Sequence, residues 1–98
     1  MEVRKVVWDK SVLYELDEMG EYLSAKSIEA TKIIPTLVKL GNDLTIDAEI
    51  YNLDRFKINN DGSYRAFEKY HYRVSYRIID FEVRILRIQH TSRNPKVY

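Results

Sequence analysis

The sequence predicts an α+β domain with the element order β-α-α-β-β-β, in which a helical hairpin packs on one side of an antiparallel sheet. Two observations lead to this prediction. Apolar residues recur at helical spacing in the first half of the chain, but alternate with polar residues in the last third. The alternating runs are joined by connections of hairpin length, which suit antiparallel pairing. No repeat or linker divides the chain, so we expect one domain over residues 1–98.

The first quarter of the chain predicts a strand and then an amphipathic helix. The run Glu2 to Trp8 sets valines and a tryptophan between charged residues, which is typical of a strand. Asp9 or Ser11 is expected to cap the helix, because a short oxygen-bearing side chain accepts from its free N–H groups. Gly20 inside the helix predicts close packing against a second helix. The apolar stripe of the helix consists of Val12, Leu16, Met19 and Leu23, with Leu13 alongside.

A second helical stretch follows a break at Ser24 to Ser27. Pro35 lies inside it and removes a backbone donor, so we expect a kink or two short helices that meet near Ile34. The run Gly41 to Asp43 is expected to end the element. The apolar face of the stretch consists of Ala30, Ile33, Ile34, Leu37, Val38 and Leu40.

The last half of the chain predicts a loop, a strand and a terminal hairpin. Residues 44–58 have no clear period, and their Tyr51, Leu53 and Phe56 are expected to cover an edge of the core. Turn-forming residues at 59–62 precede a strand predicted over residues 64–70. Alternating apolar residues at 72–78 and a Val/Ile/Leu-rich run at 83–89 predict two more strands, joined at Asp80 and Phe81. A polar tail, residues 90–95, then reaches the edge of the sheet.

Composition excludes several classes of protein. The chain has no cysteine, which excludes disulfides and thiolate metal sites and fits a reducing compartment. No apolar run approaches the ~20 residues that span a bilayer, and the N-terminus lacks the apolar segment of a signal peptide. Two histidines nineteen residues apart, without a carboxylate pattern, do not indicate a metal site. We therefore expect a cytoplasmic protein without membrane contact, metal or cofactor.

Basic residues are concentrated in the C-terminal third. Residues 65–98 contain eight Lys or Arg and three Asp or Glu, although the whole chain has a net charge of only +1. This asymmetry indicates a polyanionic or acidic partner. The alternative is that strand arginines simply form the solvated face of a sheet.

The element order and the C-terminal sequence resemble the RelE/ParE superfamily of toxins from type II toxin–antitoxin systems. The resemblance is most specific in YRVSY at residues 72–76, in the run from Ile85 to Ile88, and in His90, Arg93 and Pro95. It implies a small cytoplasmic growth inhibitor that serves plasmid stabilisation and is neutralised by a cognate antitoxin.

Two unrelated activities occur on this fold, and the resemblance leaves both open. RelE-like members are mRNA endoribonucleases that act in the ribosome, whereas ParE-like members inhibit DNA gyrase and are not known as nucleases. The ending HTSRNP, residues 90–95, is closer to the ParE type. A third alternative is an interaction module that has lost toxicity. Fold alone does not choose among these functions, so whether the protein is an enzyme stays open.

Four residues are candidates for catalysis if the chain is a nuclease. RelE-like nucleases carry an arginine in the middle strand and an Arg…Tyr pair near the C-terminus, which Arg73, Arg93 and Tyr98 match. RNA cleavage needs a base, an acid and cations for the phosphate. His90 is suited to acid or base chemistry because its reference pKa lies near ~6.5. Each of the four also has a purely structural explanation, such as an ion pair or a strand-end hydrogen bond.

Three further basic residues are candidates for binding the nucleic acid or the protein target: Arg65, Lys69 and Arg77. RelE-like sequences place lysines on the strand before the central arginine, and Arg65 and Lys69 are approximate substitutes for them. Glu68 on that strand departs from the pattern and argues against catalysis.

Overall fold

The computed structural model describes residues 3–93 and 96–98. Glu2, at the start of the predicted first strand, and Asn94 and Pro95, in the predicted polar tail, lie outside the described residues. The elements are β1 (Lys5–Trp8), α1 (Lys10–Ser24), a 3₁₀ turn (Glu29–Lys32), α2 (Ile33–Asn42), a second 3₁₀ turn (Asp43–Thr45), β2 (Tyr64–Lys69), β3 (Tyr72–Ile79) and β4 (Glu82–His90). This order confirms the predicted β-α-α-β-β-β fold.

The four strands form one mixed sheet with the order β1-β4-β3-β2. The predicted antiparallel pairing holds for β2 with β3 and for β3 with β4. The prediction of a wholly antiparallel sheet is wrong for β1, which pairs parallel to β4 with Lys5 opposite Glu82 and Trp8 opposite Ile85. Tight hairpins force β2, β3 and β4 to alternate in direction. β1 is released from that constraint, since the helical hairpin carries the chain across the sheet before β2 begins.

Both hairpins turn through two residues without glycine. Tyr70 and His71 connect β2 to β3, and both adopt a left-handed backbone with φ of 53° and 66°. Strand β2 therefore ends one residue earlier than predicted. Asp80, with φ of 51°, and Phe81 connect β3 to β4 as predicted. Two-residue turns with positive φ match the right-handed twist of the paired strands.

Helix α1 begins as its sequence predicts. Asp9 is the N-cap, and its carboxylate accepts from the Ser11 backbone N–H at 3.1 Å. The apolar stripe lies on the sheet, where Val12, Met19 and Leu23 are buried and Leu16 is partly buried, while Leu13 is 52% exposed. An ideal Cβ on Gly20 lies 3.6 Å from Ile34 Cδ1, which confirms the close packing of α1 on α2.

Helix α2 ends at Asn42, inside the run predicted to end it, but Gly41 is not the residue that stops it. Pro35 lies in its first turn, after the 3₁₀ turn, where a missing N–H is tolerated; the predicted junction of two short helices near Ile34 is confirmed. Gly41 does not end the helix, which continues to Asn42. Instead it lets the Trp8 indole approach, because an ideal Cβ there would lie 2.6 Å from two ring carbons. The indole then donates to Asn42 Oδ1 at 2.9 Å.

The hydrophobic core lies between the helices and one face of the sheet, here called the helix face. Its fully buried members include Leu37 and Leu44 from the helical side and Val74, Tyr76, Val83 and Ile85 from the strands. The Tyr76 hydroxyl donates to the Ala48 carbonyl at 2.6 Å, which satisfies its only buried polar group. Burial raises the pKa of this hydroxyl far above its ordinary value.

No helix in the described part of the chain is long and apolar enough to cross a membrane.

Candidate functional site

The opposite face of the sheet, here called the outer face, carries polar and charged side chains under a thin cover. Alternation along β3 places Arg73, Ser75 and Arg77 on this face. Residues 54–58 and, from the C-terminal segment of residues 96–98, Tyr98 lie over this face. These two segments are joined by backbone hydrogen bonds, from Tyr98 N to Phe56 O at 3.0 Å and from Ile58 N to Tyr98 O at 2.5 Å.

Asp54 is the centre of this cover, and its carboxylate makes three hydrogen bonds. It is only 2% exposed. Oδ1 accepts from Arg73 Nη2 at 2.8 Å and from the Phe56 backbone N–H at 3.1 Å. Oδ2 accepts from the Tyr98 hydroxyl at 2.6 Å. One buried carboxylate therefore fixes the central arginine, the covering loop and the C-terminal tyrosine.

The environment of Asp54 favours its charged form. Burial alone raises the pKa of this carboxyl, but hydrogen bonds from Tyr98 and Arg73 outweigh burial and hold the pKa below its usual value. Burial and the bond to Asp54 raise the pKa of the Tyr98 hydroxyl far above its ordinary value. Tyr98 therefore keeps its proton and acts as a hydrogen-bond donor to Asp54.

Arg73 is held on three sides. Besides Asp54, it binds Glu68 Oε2 through Nη1 at 2.6 Å, and its Cζ lies 4.7 Å from the centre of the Phe56 ring. The residue is 9% exposed, and its Nε has no hydrogen-bond partner. Most of its charge is thus compensated inside the protein.

Tyr98 is an ordered part of the outer face. Its ring lies 4.2 Å below the Arg87 guanidinium and meets the Tyr64 ring edge-on at 6.1 Å between centroids. Lys57 Nζ lies 5.5 Å from the same ring. These contacts and the Asp54 hydrogen bond explain the tyrosine structurally.

Three of the four predicted catalytic residues line one cleft at the end of the sheet where β4 finishes. The cleft has a volume of about 90 Å³. We call it the basic cleft, and its lining consists of Arg55, Phe56, Glu68, Arg73, Gln89, His90, Thr91 and Arg93. Arg73, His90 and Arg93 therefore lie together as predicted. Tyr98 is not part of the lining and reaches the cleft only indirectly, through Asp54. A larger cavity of about 470 Å³ also borders Arg73, and its lining includes Tyr51, Leu53 and Phe67.

His90 is oriented by the chain that follows it. Its Nδ1 accepts from the Ser92 backbone N–H at 3.1 Å and lies 2.6 Å from the Ser92 hydroxyl. Because Nδ1 is an acceptor, the ring proton is on Nε2 in this arrangement. The ring packs edge-on against Tyr72 at 5.0 Å and stacks beside His71 at 6.2 Å.

The predicted target-binding residues do not form one surface. Arg65 lies on the helix-face side of β2, and its Nη1 donates to the backbone carbonyl of Tyr51 at 2.6 Å. Lys69 lies over the Tyr70 ring at 5.1 Å, near the β2–β3 turn. Arg77 is on the outer face but far from the basic cleft, where it binds Ser63 Oγ at 3.1 Å and Asp61 at 3.6 Å.

Sequence reasoning missed Asp54 and Arg55. Both lie in the stretch without a period, and the partner of Asp54 is nineteen residues away on another element. The available signal was weak: an acidic and a basic residue placed between apolar Leu53 and Phe56. Among residues 3–93 and 96–98, no group of three or more His, Asp or Glu side chains is placed to hold a metal ion.

Comparison with solved structures places the fold among toxin–antitoxin proteins. The chain is similar to a protein of the RelBE2 toxin–antitoxin complex from Mycobacterium tuberculosis, with a TM-score of 0.65, 19% identity and coverage of 92% of this chain and 93% of that one. It is also similar to a chain of the chromosomal ParDE system from P. aeruginosa, with a TM-score of 0.70, 18% identity and coverage of 90% and 96%. A mutant of the E. coli toxin RelE in the free state gives a TM-score of 0.61, 15% identity and coverage of 90% and 83%.

Sequence comparison identifies the family. No curated protein sequence matches the chain significantly. The model of the family described as the ParE toxin of the type II toxin-antitoxin system parDE matches residues 6–95. That match spans both helices and the whole sheet except Lys5, the first residue of β1, together with the basic cleft. The chain is a toxin of a type II toxin–antitoxin system and belongs to the ParE toxin family.

Proposed function

We propose that this toxin stops growth by binding its target without cleaving RNA, and that the target is DNA gyrase. A cognate antitoxin neutralises it in the cytoplasm. The observation that carries the proposal is the engagement of both Arg73 and Tyr98 by the buried carboxylate of Asp54. These are two of the groups that a RelE-like nuclease needs at the scissile phosphate.

The state of these two residues is unsuited to phosphate chemistry. A cation that stabilises developing charge must direct free N–H donors at the reacting group. Two of the three nitrogens of Arg73 already bind carboxylates, from Asp54 and Glu68. Tyr98 donates its only proton to Asp54, and its raised pKa makes it a poor general acid.

His90 alone does not supply both an acid and a base. Its Nδ1 is occupied by Ser92, and its Nε2 carries the proton in that arrangement. The His90 ring lies against Tyr72 and His71, and the other acid–base group of the lining, Glu68, is engaged by Arg73 at 2.6 Å. A binding role fits this lining better than a catalytic one.

The second candidate function is a ribosome-dependent mRNA endoribonuclease. One observation favours it, namely that Arg73, His90 and Arg93 share one small cleft. In that case a ribosome-bound mRNA must displace Glu68 or Asp54 from Arg73 before cleavage.

An antitoxin is the proposed partner of the helical hairpin. The structural relatives from M. tuberculosis and P. aeruginosa belong to toxin–antitoxin systems. The hairpin of this chain leaves several large apolar side chains exposed, including Tyr14 at 67%, Tyr22 at 59% and Ile28 at 81%. An amphipathic antitoxin segment that folds as it binds would cover such residues. Co-expression with the neighbouring reading frame should give a co-purifying complex, and separate elution at low salt would contradict this.

The target is tested with purified protein and with induced cells. We expect the wild-type chain to inhibit DNA supercoiling by gyrase and to leave transcripts intact, both with and without ribosomes. Arg93→Ala and His90→Gln change the cleft without removing a buried ion pair, and Arg84→Gln is a matched control at the far end of β4. Arg73→Ala is unsuitable because it leaves Asp54 uncompensated. Transcripts cut at defined sites after induction, with uncut patterns in Arg93→Ala and His90→Gln, would establish the nuclease instead.

A further inference from the structure

Two residues that line the basic cleft each carry a buried donor that has no acceptor. Arg73 Nε and Gln89 Nε2 are shielded from solvent and lack a hydrogen-bond partner in the described part of the chain. The two residues lie directly opposite each other on β3 and β4, and both line the cleft. Because burying a donor without an acceptor is unfavourable, an acceptor oxygen near both nitrogens would be stabilised.

The charge around the cleft also favours an anion. Three arginines line it, and Arg73 is compensated by Glu68 and Asp54. Arg55 and Arg93 are exposed, and neither has a carboxylate partner among residues 3–93 and 96–98. Three positive charges therefore face two negative ones, and the cleft has one net positive charge available for a ligand.

The size of the cleft limits the ligand to a small group. Its volume of about 90 Å³ accommodates a carboxylate or a phosphate, since a water molecule occupies about 30 Å³ of liquid. The two sources differ in what accompanies the group. A nucleic acid brings further phosphates on both sides and needs a track of cations. Here the Glu68 side chain, 45% exposed, lies at the lining, and Lys69 points to the other side of β2.

Building on the proposed binding function, we propose that the basic cleft receives the carboxylate of an acidic side chain from a protein partner. One carboxylate oxygen accepts from Arg73 Nε and Gln89 Nε2, while the other faces Arg55 and Arg93. An acidic side chain enters singly, balances the one uncompensated charge, and provides the acceptor that both buried donors lack. The antitoxin and the toxin's target are both proteins, and either can supply this group.

The direct test is an NMR titration of the full chain that follows the Nε–H of Arg73 and the side-chain amide of Gln89. The probes are a blocked tripeptide with a central glutamate, its glutamine counterpart, inorganic phosphate and a hexauridine RNA. We expect the glutamate peptide to shift both resonances saturably and the glutamine peptide to leave them unchanged. Arg55→Gln and Arg93→Gln should each weaken binding by about three- to tenfold, as for partly exposed charge pairs. Arg84→Gln, which removes the same charge far from the cleft, should bind like the wild type.

Two results of the titration overturn the assignment. One is that the glutamate peptide moves neither resonance at millimolar concentration. The other is that hexauridine or phosphate saturates the cleft while the glutamate peptide does not, which would identify a nucleic-acid phosphate site. Neither result depends on the gyrase assay, so failure of this proposal and failure of the proposed function are distinguishable.

The source of the carboxylate is then found with Arg93→Gln in cells. Retained toxicity with weakened capture of the antitoxin assigns the acidic side chain to the antitoxin. Lost toxicity with normal capture of the antitoxin assigns it to the target. If Arg93→Gln matches Arg84→Gln in both assays, no protein carboxylate uses this cleft and the proposal is wrong.

Discussion

Replacing Asp54 with asparagine should cost the protein a large part of its stability. The carboxylate accepts three hydrogen bonds, two of them from Arg73 and Tyr98, and it is almost fully buried. An asparagine keeps one oxygen for Arg73 and Phe56, but its amide group presents donors to the Tyr98 hydroxyl. Within the described residues, it also leaves the Arg73 charge with Glu68 as its remaining carboxylate partner.

The expected loss follows from these changes. Breaking a buried ion pair by removing one partner costs about 3–5 kcal/mol. Small domains have total stabilities of about 5–15 kcal/mol, so this is a substantial fraction. Since about 1 kcal/mol shifts the melting temperature of a domain of this size by about 4–8 °C, the melting temperature should fall by at least about 12 °C.

Urea unfolding at neutral pH, followed by the fluorescence of Trp8 and by circular dichroism, measures this loss. Asp47→Asn is the matched control, because Asp47 is exposed and a surface change of this kind is usually within about 0.5 kcal/mol. A double-mutant cycle with Tyr98→Phe isolates the hydroxyl–carboxylate interaction. A loss below about 1 kcal/mol for Asp54→Asn would refute the view that this carboxylate organises the outer face.

Three further predictions follow from the same structure. The pKa of Asp54 is lowered in the folded state, so the stability that its carboxylate contributes to the fold is complete above the unfolded pKa of about 3.9 and is lost as the pH falls through the folded pKa. The difference in unfolding free energy between wild type and Asp54→Asn should therefore shrink in acid. A difference that grows below about pH 4 would contradict this. Gly41→Ala should destabilise the fold by about 1–3 kcal/mol, because the new Cβ would lie 2.6 Å from the Trp8 ring. Gly20→Ala places its Cβ 3.6 Å from Ile34 and should be neutral or stabilise the fold by up to about 1 kcal/mol. Equal urea midpoints for the two variants would refute the packing argument. Leu37→Ala, at a fully buried position, should lower the free energy of unfolding by about 2–5 kcal/mol, and Leu16→Ala, at a partly buried position, should lower it by less. The reverse order in urea unfolding would show that α1 contributes more to core stability than its burial indicates.

The elements with a clear period were predictable from sequence, and those without one were not. The stripe at Val12, Met19 and Leu23 and the alternation at Tyr72, Val74 and Tyr76 identify one helix and one strand, because burial imposes its period on the residues themselves. The parallel pairing of β1 with β4 has no such signature. It depends on how the helical hairpin crosses the sheet, which no local pattern records.

The candidate site was predictable only in part, for a related reason. Arg73, His90 and Arg93 share a cleft because adjacent strands and a short tail bring them to one end of the sheet. This was predictable because the alternating runs of the sequence indicate the hairpin that joins the two strands. Two carboxylates bind Arg73, and the buried one, Asp54, comes from an irregular loop whose pairing no sequence pattern predicts. An ion pair was one of the explanations predicted for Arg73, but no partner was predicted for Tyr98, and Asp54 engages both inside the protein.

The parallel pairing of β1 with β4 determines when the fold can be completed. Residues 5–8 pair with residues 82–85, and in the part of the chain that the structure describes no nearer segment pairs with them as a strand. Contacts of such long sequence separation slow folding, because the chain loses the entropy of closing a large loop before the strand pairing contributes any stability. On the ribosome, β1 must therefore wait unpaired until nearly the whole domain has emerged. For that interval the apolar side chains of this strand lack their sheet neighbours and are available to any chaperone or partner that meets the nascent chain first.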